Sequence, residues 1–269
     1  MIKKQWKKSV ASQWHLFMPP LRPSLSELRI IEKKLIDGKK KNKEFKVAIL
    51  GSTPEYRDLC RDYDINYKCI EYDRNNFIKL GKYMRRKDSE TNLIVSDWRR
   101  MDFKDKFDIF LGDHVLAVIS IKDYNNLFSN IRKHCFPNAK VILKTAIREN
   151  NKKLSYKTIF DLYRKKYYYL NPFAANWFNI VMAEYDFQND SFSCKQSIKA
   201  LNNAYKNGVC NYYEYNEITK RWKALGEFKM TIPNNKDLIS KIKKYFKKVV
   251  LIHSKDWFTK QFPLIIFEK

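Results

Sequence analysis

The chain has 269 residues, of which 44% are hydrophobic and 15% aromatic, with only 6 Gly and 8 Pro. These figures exclude a disordered, collagenous or low-complexity chain and leave a globular protein long enough for a sizeable core. Lys and Arg total 54 against 29 Asp and Glu, a net charge of +25 that draws phosphates, but only 13 of the 54 are Arg, the side chain that phosphate-binding sites favour. Asn, Ile, Tyr and Phe are also plentiful, the residue usage that an AT-rich genome would impose, so the charge is weak evidence of a partner.

In chain order, Trp14–Ser24 (WHLFMPPLRPS) leads into a helix over Leu25–Ile36, capped by Ser24 or Ser26. Gly38–Lys43 (GKKKNK) reads as an exposed linker. Short, β-branched, largely continuous apolar runs then recur at Lys46–Leu50, Tyr67–Tyr72, Asn92–Ser96, Phe107–Leu111 and Lys140–Ala146, as suits strands buried on both faces of a parallel sheet. Between them Pro54–Tyr63 sets Tyr56, Leu59, Cys60 and Tyr63 on one helical face, and Tyr124–His134 does so with Leu127, Phe128 and Ile131. Arg148–Lys248 is an insertion of about 100 residues with helical spacing near 156–169, 174–187, 198–205 and 236–247; so long a stretch needs structure of its own. Val249–His253 and Phe262–Phe267 follow as a β-hairpin.

The fold class predicted is α/β, a doubly wound and mostly parallel sheet ending in an antiparallel strand pair. That differs from the dinucleotide-binding sheet of six parallel strands. The expected parts are an N-terminal helical cap (1–45), a core (46–147 plus 248–269) and a helical insertion (148–247) acting as a substrate lid. The cysteines, Cys60, Cys69, Cys135, Cys194 and Cys210, are odd in number and lack paired spacing for zinc, so reduced thiols and no metal are expected. Met1–Val10 is basic without a following apolar stretch, and Val115–Ile121 falls far short of the ~18 residues of a membrane span. A soluble, cytoplasmic protein is the expectation.

The first strand runs into Gly51-Ser52-Thr53-Pro54-Glu55. Gly51 permits a tight turn, and Thr53 caps a helix starting at Pro54, with a Ser52/Glu55 capping box as the other register. A strand turning sharply into a helix leaves free backbone N–H groups at the crevice. No Gly-Lys-Ser/Thr follows, which excludes a P-loop, and the glycine-rich dinucleotide fingerprint is absent. Asp73 closes the second strand 22 residues after Gly51, Asp97 closes the third and Asp113 the fourth. Three successive strands ending in carboxylates line the edge where open α/β proteins bind ligands.

On VAILGSTPEYRDL (Val47–Leu59), CIEYDRNNF (Cys69–Phe77), IVSDWRRMDF (Ile94–Phe103), FDIFLGDHVL (Phe107–Leu116) and the terminal strand pair, the sequence resembles the class I S-adenosylmethionine-dependent methyltransferases over about half the chain. The resemblance implies that Gly51 passes the methionine part of the cofactor, Asp73 holds the ribose, and Asp97 contacts the adenine amino group with Trp98 beside the ring. Ser52, Thr53, Glu55, Asp113 and Trp14 complete the implied cofactor set. The family's turn holds several glycines; here Gly51 stands alone, so Arg22, fixed between prolines in a lead-in similar to that of a subgroup of the family, is assigned to the cofactor's carboxylate.

His114 is the candidate general base, since the chain after the fourth strand faces the transferred methyl in that family. Gly112-Asp113-His114-Val115 matches neither the Asn/Asp-Pro-Pro-aromatic nor the Pro-Cys motif of the members that methylate nucleobases. The expected activity is therefore in-line methyl transfer to a small molecule, with S-adenosylmethionine as cofactor. RNA methylation, or a nucleic-acid or protein partner module with a vestigial cofactor site, are the other readings; the insertion's aromatics, Tyr167-Tyr168-Tyr169, Phe173, Trp177, Phe178, Tyr212, Tyr213, Tyr215 and Trp222, could form a lid over a small molecule or, interleaved with Lys, stack the bases of an RNA strand.

Overall fold

The computed structural model describes residues 10–226 and 228–269. Of the basic Met1–Val10 stretch all but Val10 lies outside the described residues. An irregular 3-10 segment (Val10–Leu16) precedes α1 (Leu25–Lys41). Strands β1 (Lys46–Leu50), β2 (Asn66–Glu71), β3 (Leu93–Val95), β4 (Phe107–Asp113) and β5 (Cys135–Lys144) then run with α2 (Pro54–Asp62), α3 (Arg74–Gly81) and α4 (Tyr124–Lys133) between them. Next come α5 (Tyr156–Leu162), continued by a π-helical turn to Tyr167, then α6 (Pro172–Glu184), α7 (Cys194–Lys206) and α8 (Tyr212–Leu225). Here β6 (Phe192–Ser193) and β7 (Lys229–Met230) form a separate small antiparallel pair. Last are α9 (Asn235–Lys243), β8 (Lys247–Ile252) and β9 (Leu264–Glu268).

The main sheet has the order β3-β2-β1-β4-β5-β9-β8. Its first five strands are parallel, and β9 runs antiparallel to both neighbours. This is the α/β class read from the sequence. The boundaries moved where chemistry demands it. The last strand starts at Leu264 rather than Phe262, because Pro263 has no N–H for a ladder. The N-terminal helix runs on to Lys41, so most of the supposed linker is helical.

Continuous apolar strands serve two cores. Val47 and Ile49 of β1 pack with Ile31 and Leu35 of α1, whereas Ala48 and Leu50 pack on the opposite face with Leu127, Phe128 and Ile131 of α4. Leu238 and Ile242 of α9 share that second cluster. The insertion has a third core, built on Trp177, Trp222, Phe160 and Phe173 and joined by Phe17, Phe258 and Phe262.

Ser24 caps α1 through a full capping box with Glu27. At the outer edge, β8 slips register against β9 between Lys247 and Val250, with Lys248 in a left-handed backbone conformation (φ +49°). Among the described residues no helix is long and apolar enough to cross a membrane.

Under the first crossovers, Arg57 pairs with Asp88 at 2.7 Å, both side chains almost wholly buried, and donates to the Phe77 carbonyl at 3.0 Å. Arg57→Met strands Asp88 in the interior. Urea denaturation should show a loss of about 3–5 kcal/mol, the cost of leaving one buried partner uncompensated.

Candidate functional site

At the end of β1 the chain turns at Gly51 with φ +94°, and its N–H donates to the Ile70 carbonyl at 2.9 Å. A side chain is strained in that conformation, and a Cβ there would meet the Trp98 ring at 3.6 Å and Glu71 Oε2 at 4.0 Å. The turn is thus floored by an indole and a carboxylate. Thr53 stands at the N-cap of α2 but makes no side-chain capping bond. Ser52 makes no capping box with Glu55: its hydroxyl donates to Glu71 Oε2 at 3.4 Å.

A cavity of about 930 Å³, including the space at its mouth, opens beside this turn at the carboxyl ends of β1, β2 and β4. Trp14, Gly51, Ser52, Thr53, Trp98, Asp113 and His114, all singled out from the sequence, line it together. Arg22, Glu55, Asp73 and Asp97 do not.

The carboxylates divide by role. Asp73 caps α3, accepting from the Asn75 N–H at 2.9 Å. Asp97 accepts from the Arg99 N–H at 2.9 Å and from the Arg99 guanidinium at 2.5 Å, which holds its carboxyl below the ordinary range. Of the two acids at the end of β2, Glu71 is the one that reaches the cavity; it accepts from the Asp73 N–H at 3.2 Å. Burial pushes Glu71 up to about 7 against those hydrogen bonds. Sequence reading passed over it because two acids stand two residues apart at the strand end. The usable signal was that Asp73 precedes Arg-Asn-Asn and a helix, a capping position.

Asp113 lines the cavity with its side chain only 2% exposed, and its Oδ1 has no hydrogen-bond partner. Burial pushes it up to about 7, opposed by Lys144, whose Nζ lies 4.0 Å away. Lys144 is itself fully buried and donates to Glu27 Oε2 at 2.9 Å and to the Arg22 carbonyl at 2.7 Å. The Arg22 side chain, expected to be free for a ligand carboxylate, is instead engaged: Nε and Nη2 both donate to Glu55 Oε1, at 2.8 and 2.5 Å. Its guanidinium lies 5.2 Å from the Trp14 ring centre, and Glu55 Oε2 is left buried and unpartnered.

His114 takes a left-handed backbone (φ 55°), and its Nε2 donates to the Pro20 carbonyl at 3.0 Å. Burial first, then Lys144, lowers it to about 4, so the ring is neutral at physiological pH. The rings of Phe262 and Trp177 stand 5.9 and 6.5 Å from it.

Apart from Glu71, Asp113 and the neutral His114 the lining is uncharged. It includes Phe17, Trp177, Leu225, Phe228 and Met230, four of them supplied by the insertion and β7. Trp14 and Trp177 each keep a buried indole N–H without an acceptor. Of these residues the sequence singles out Trp177, among the aromatics of an insertion expected to act as a lid; Leu225, Phe228 and Met230 carry no such signal.

Compared with family models and with curated proteins, the sequence matches none. Solved structures do match. A candidate Zn-dependent alcohol dehydrogenase from Rhodobacter sphaeroides superposes with a TM-score of 0.57 at 13% identity, covering 96% of this chain and 97% of that one. The PH0226 protein of Pyrococcus horikoshii gives 0.52 at 14% identity, covering 95% and 98%. An S-adenosylmethionine-dependent methyltransferase from Clostridium acetobutylicum gives 0.50 at 11% identity, covering 90% of each chain. With β9 reversed and inserted between β5 and β8, the strand order departs from six parallel strands.

The chain has the class I methyltransferase fold. Identities this low carry the fold and no activity. Among the described residues no group of three His, Cys, Asp or Glu side chains converges as a metal site.

A raised carboxyl favours the folded state while protonated, and that contribution is lost as pH rises from the ordinary carboxylate range through about 7. Asp113→Asn removes the charge. Above pH 7 it should stabilise the protein by on the order of 2 kcal/mol and leave stability near pH 4 little changed, as thermal denaturation across pH would show.

Proposed function

We propose that this protein transfers a methyl group from S-adenosylmethionine to a small, uncharged acceptor. One observation carries the reading: a single cavity is lined both by carboxylates beside the Gly51 turn, one oxygen unpartnered, and by uncharged aromatic and aliphatic side chains of the insertion. Buried carboxylates without partners suit a cationic ligand. The cofactor, when bound, supplies a sulfonium-activated methyl group for in-line displacement, where positioning does most of the work.

On this reading the Gly51–Thr53 backbone cradles the methionine part and Asp113 faces its ammonium. Glu71 accepts from the ribose hydroxyls, a role the sequence had given to Asp73, and Trp98 flanks the adenine with Asn76 close by. Asp73 acts through Glu71, to which its N–H is bonded, and Asp97 steadies the Trp98 turn by holding Arg99. Arg22 reaches the cofactor's carboxylate by exchanging Glu55 for it.

His114 remains the candidate base. With a pKa near 4 it takes a proton only from a strong acid, such as the oxonium formed when a hydroxyl oxygen is methylated. A late proton of that kind fits an acceptor lacking charge of its own. Trp177, Leu225, Phe228 and Met230 make residues 148–247 the roof over it. Such a wall favours a flat, apolar molecule over a phosphorylated one.

Calorimetric titration with S-adenosylmethionine and S-adenosylhomocysteine tests the reading. Micromolar binding is expected, and absence of binding to both overturns it. Glu71→Gln should weaken both ligands by about 1.5–3 kcal/mol. Asp73→Ala should instead cost about 1 kcal/mol of stability and leave affinity within a few-fold.

The pH dependence has a definite sign. Since Glu71 and Asp113 must be ionised to hold the ligand, affinity should rise from pH 6 to pH 8 and level off.

A further inference from the structure

We propose that an exposed tyrosine and lysine face on the insertion binds single-stranded nucleic acid, stacking bases on its rings and pairing phosphates with its ammonium groups. The face is separate from the residues lining the cavity, and the proposal does not depend on methyl transfer.

Two chain segments build it. The turn after α5 carries Tyr168 and Tyr169, 71% and 68% exposed, and the start of α8 carries Tyr212 and Tyr213, 66% and 56% exposed. Arg164 fastens the two side by side, donating to the Glu214 carboxylate at 2.7 Å and to the Val209 carbonyl at 3.0 Å. Tyr163 holds the turn in shape by donating to the Leu170 carbonyl at 3.0 Å. Tyr205 extends the face, its ring centre 6.4 Å from Tyr212 and stacked at 4.6 Å on Tyr215.

Charge selects the occupant. Segments 163–169 and 205–213 contain Arg164, Lys165, Lys166 and Lys206 and no acid. The acids nearest in sequence on α8, Glu214 and Glu217, are buried and bonded to Arg164 and to Arg221. Asp161, just before the first segment, is half exposed and paired with Lys157 at 2.6 Å and with Arg164 at 3.9 Å, while Lys165, Lys166 and Lys206 meet no acid within the two segments. An AT-rich genome would favour Tyr and Lys in general; it would not set four tyrosines, each more than half exposed, on the two segments that Arg164 joins. Aromatic rings among unpaired cations, without a base-reading motif, are what sequence-tolerant single-strand binding uses.

The test is fluorescence anisotropy with labelled oligo(U) and oligo(dT) of about 20 nucleotides, enough to cross one such face. Binding to both should survive physiological salt and exceed binding to a duplex of the same length, whose bases are already stacked. The quadruple variant Tyr168→Ala, Tyr169→Ala, Tyr212→Ala, Tyr213→Ala should bind roughly tenfold more weakly or worse, and the matching Phe variant should keep its affinity. Lys165→Gln, Lys166→Gln and Lys206→Gln together should lower the salt slope by about 2.

Unaltered melting of the variants shows that they fold. Equal binding by the Ala variant, or none by wild type at physiological salt, overturns the proposal. So does an Ala variant that turns a dimer into a monomer without changing oligonucleotide binding, which would assign the face to a second copy.

Discussion

A lysine ammonium with no water around it must be answered by carboxylates, and Lys144 is placed so that its answer ties three parts of the chain together. It stands at the end of β5, donates to Glu27 of α1 and to the Arg22 carbonyl of the cap, and lies 4.0 Å from Asp113 at the end of β4. The Phe258 ring covers it from the C-terminal loop at 5.4 Å. Removing the ammonium would leave buried carboxylates on two elements uncompensated, a cost of several kcal/mol. The same contact fixes the sheet edge, anchors α1 and sets the electrostatics of the candidate site. Counting Arg22 and Glu55 as well, this cluster holds two cations and three acids. The excess acid is Asp113, the one facing the cavity.

The cavity is therefore asymmetric by construction. Its floor comes from turns at the carboxyl ends of parallel strands, where backbone N–H groups and acids collect. Its roof comes from an insertion with a core of its own, in which Trp177 packs against Trp222 and Phe262 while also reaching the cavity. Changes in that part of the lining can alter what the cavity admits without disturbing the strand ends. The reverse is less free, since Asp113 and His114 are adjacent and both feel Lys144.

The sheet was legible because strands buried on both faces leave unbroken apolar runs, and β9 was legible for the same reason; β8, an edge strand without a buried residue, showed only through its Val-Val-Leu-Ile run. The site was legible only to the resolution of a strand end. Ile-Glu-Tyr-Asp puts acids at 71 and 73, and which one faces the ligand depends on where the pleat stops and α3 begins. Local spacing does not settle that. Arg22 was read as free because its partner Glu55 is 33 residues away. The depressed basicity of His114 was out of reach as well: burial lowers it, and Trp177 and Phe262, which pack beside it, come from the insertion and the C-terminal loop.

The two rims of the sheet complete the picture. On one side β3 has three residues; on the other, β8 kinks at Lys248, whose ammonium reaches back to Glu268 at 2.8 Å. A foreign strand approaching either rim finds too few aligned N–H and C=O groups to extend the ladder, and at β8 it also meets lysines. For a chain this rich in β-branched and aromatic residues, those blunted margins guard against fibrous self-assembly, a protection independent of whatever occupies the cavity.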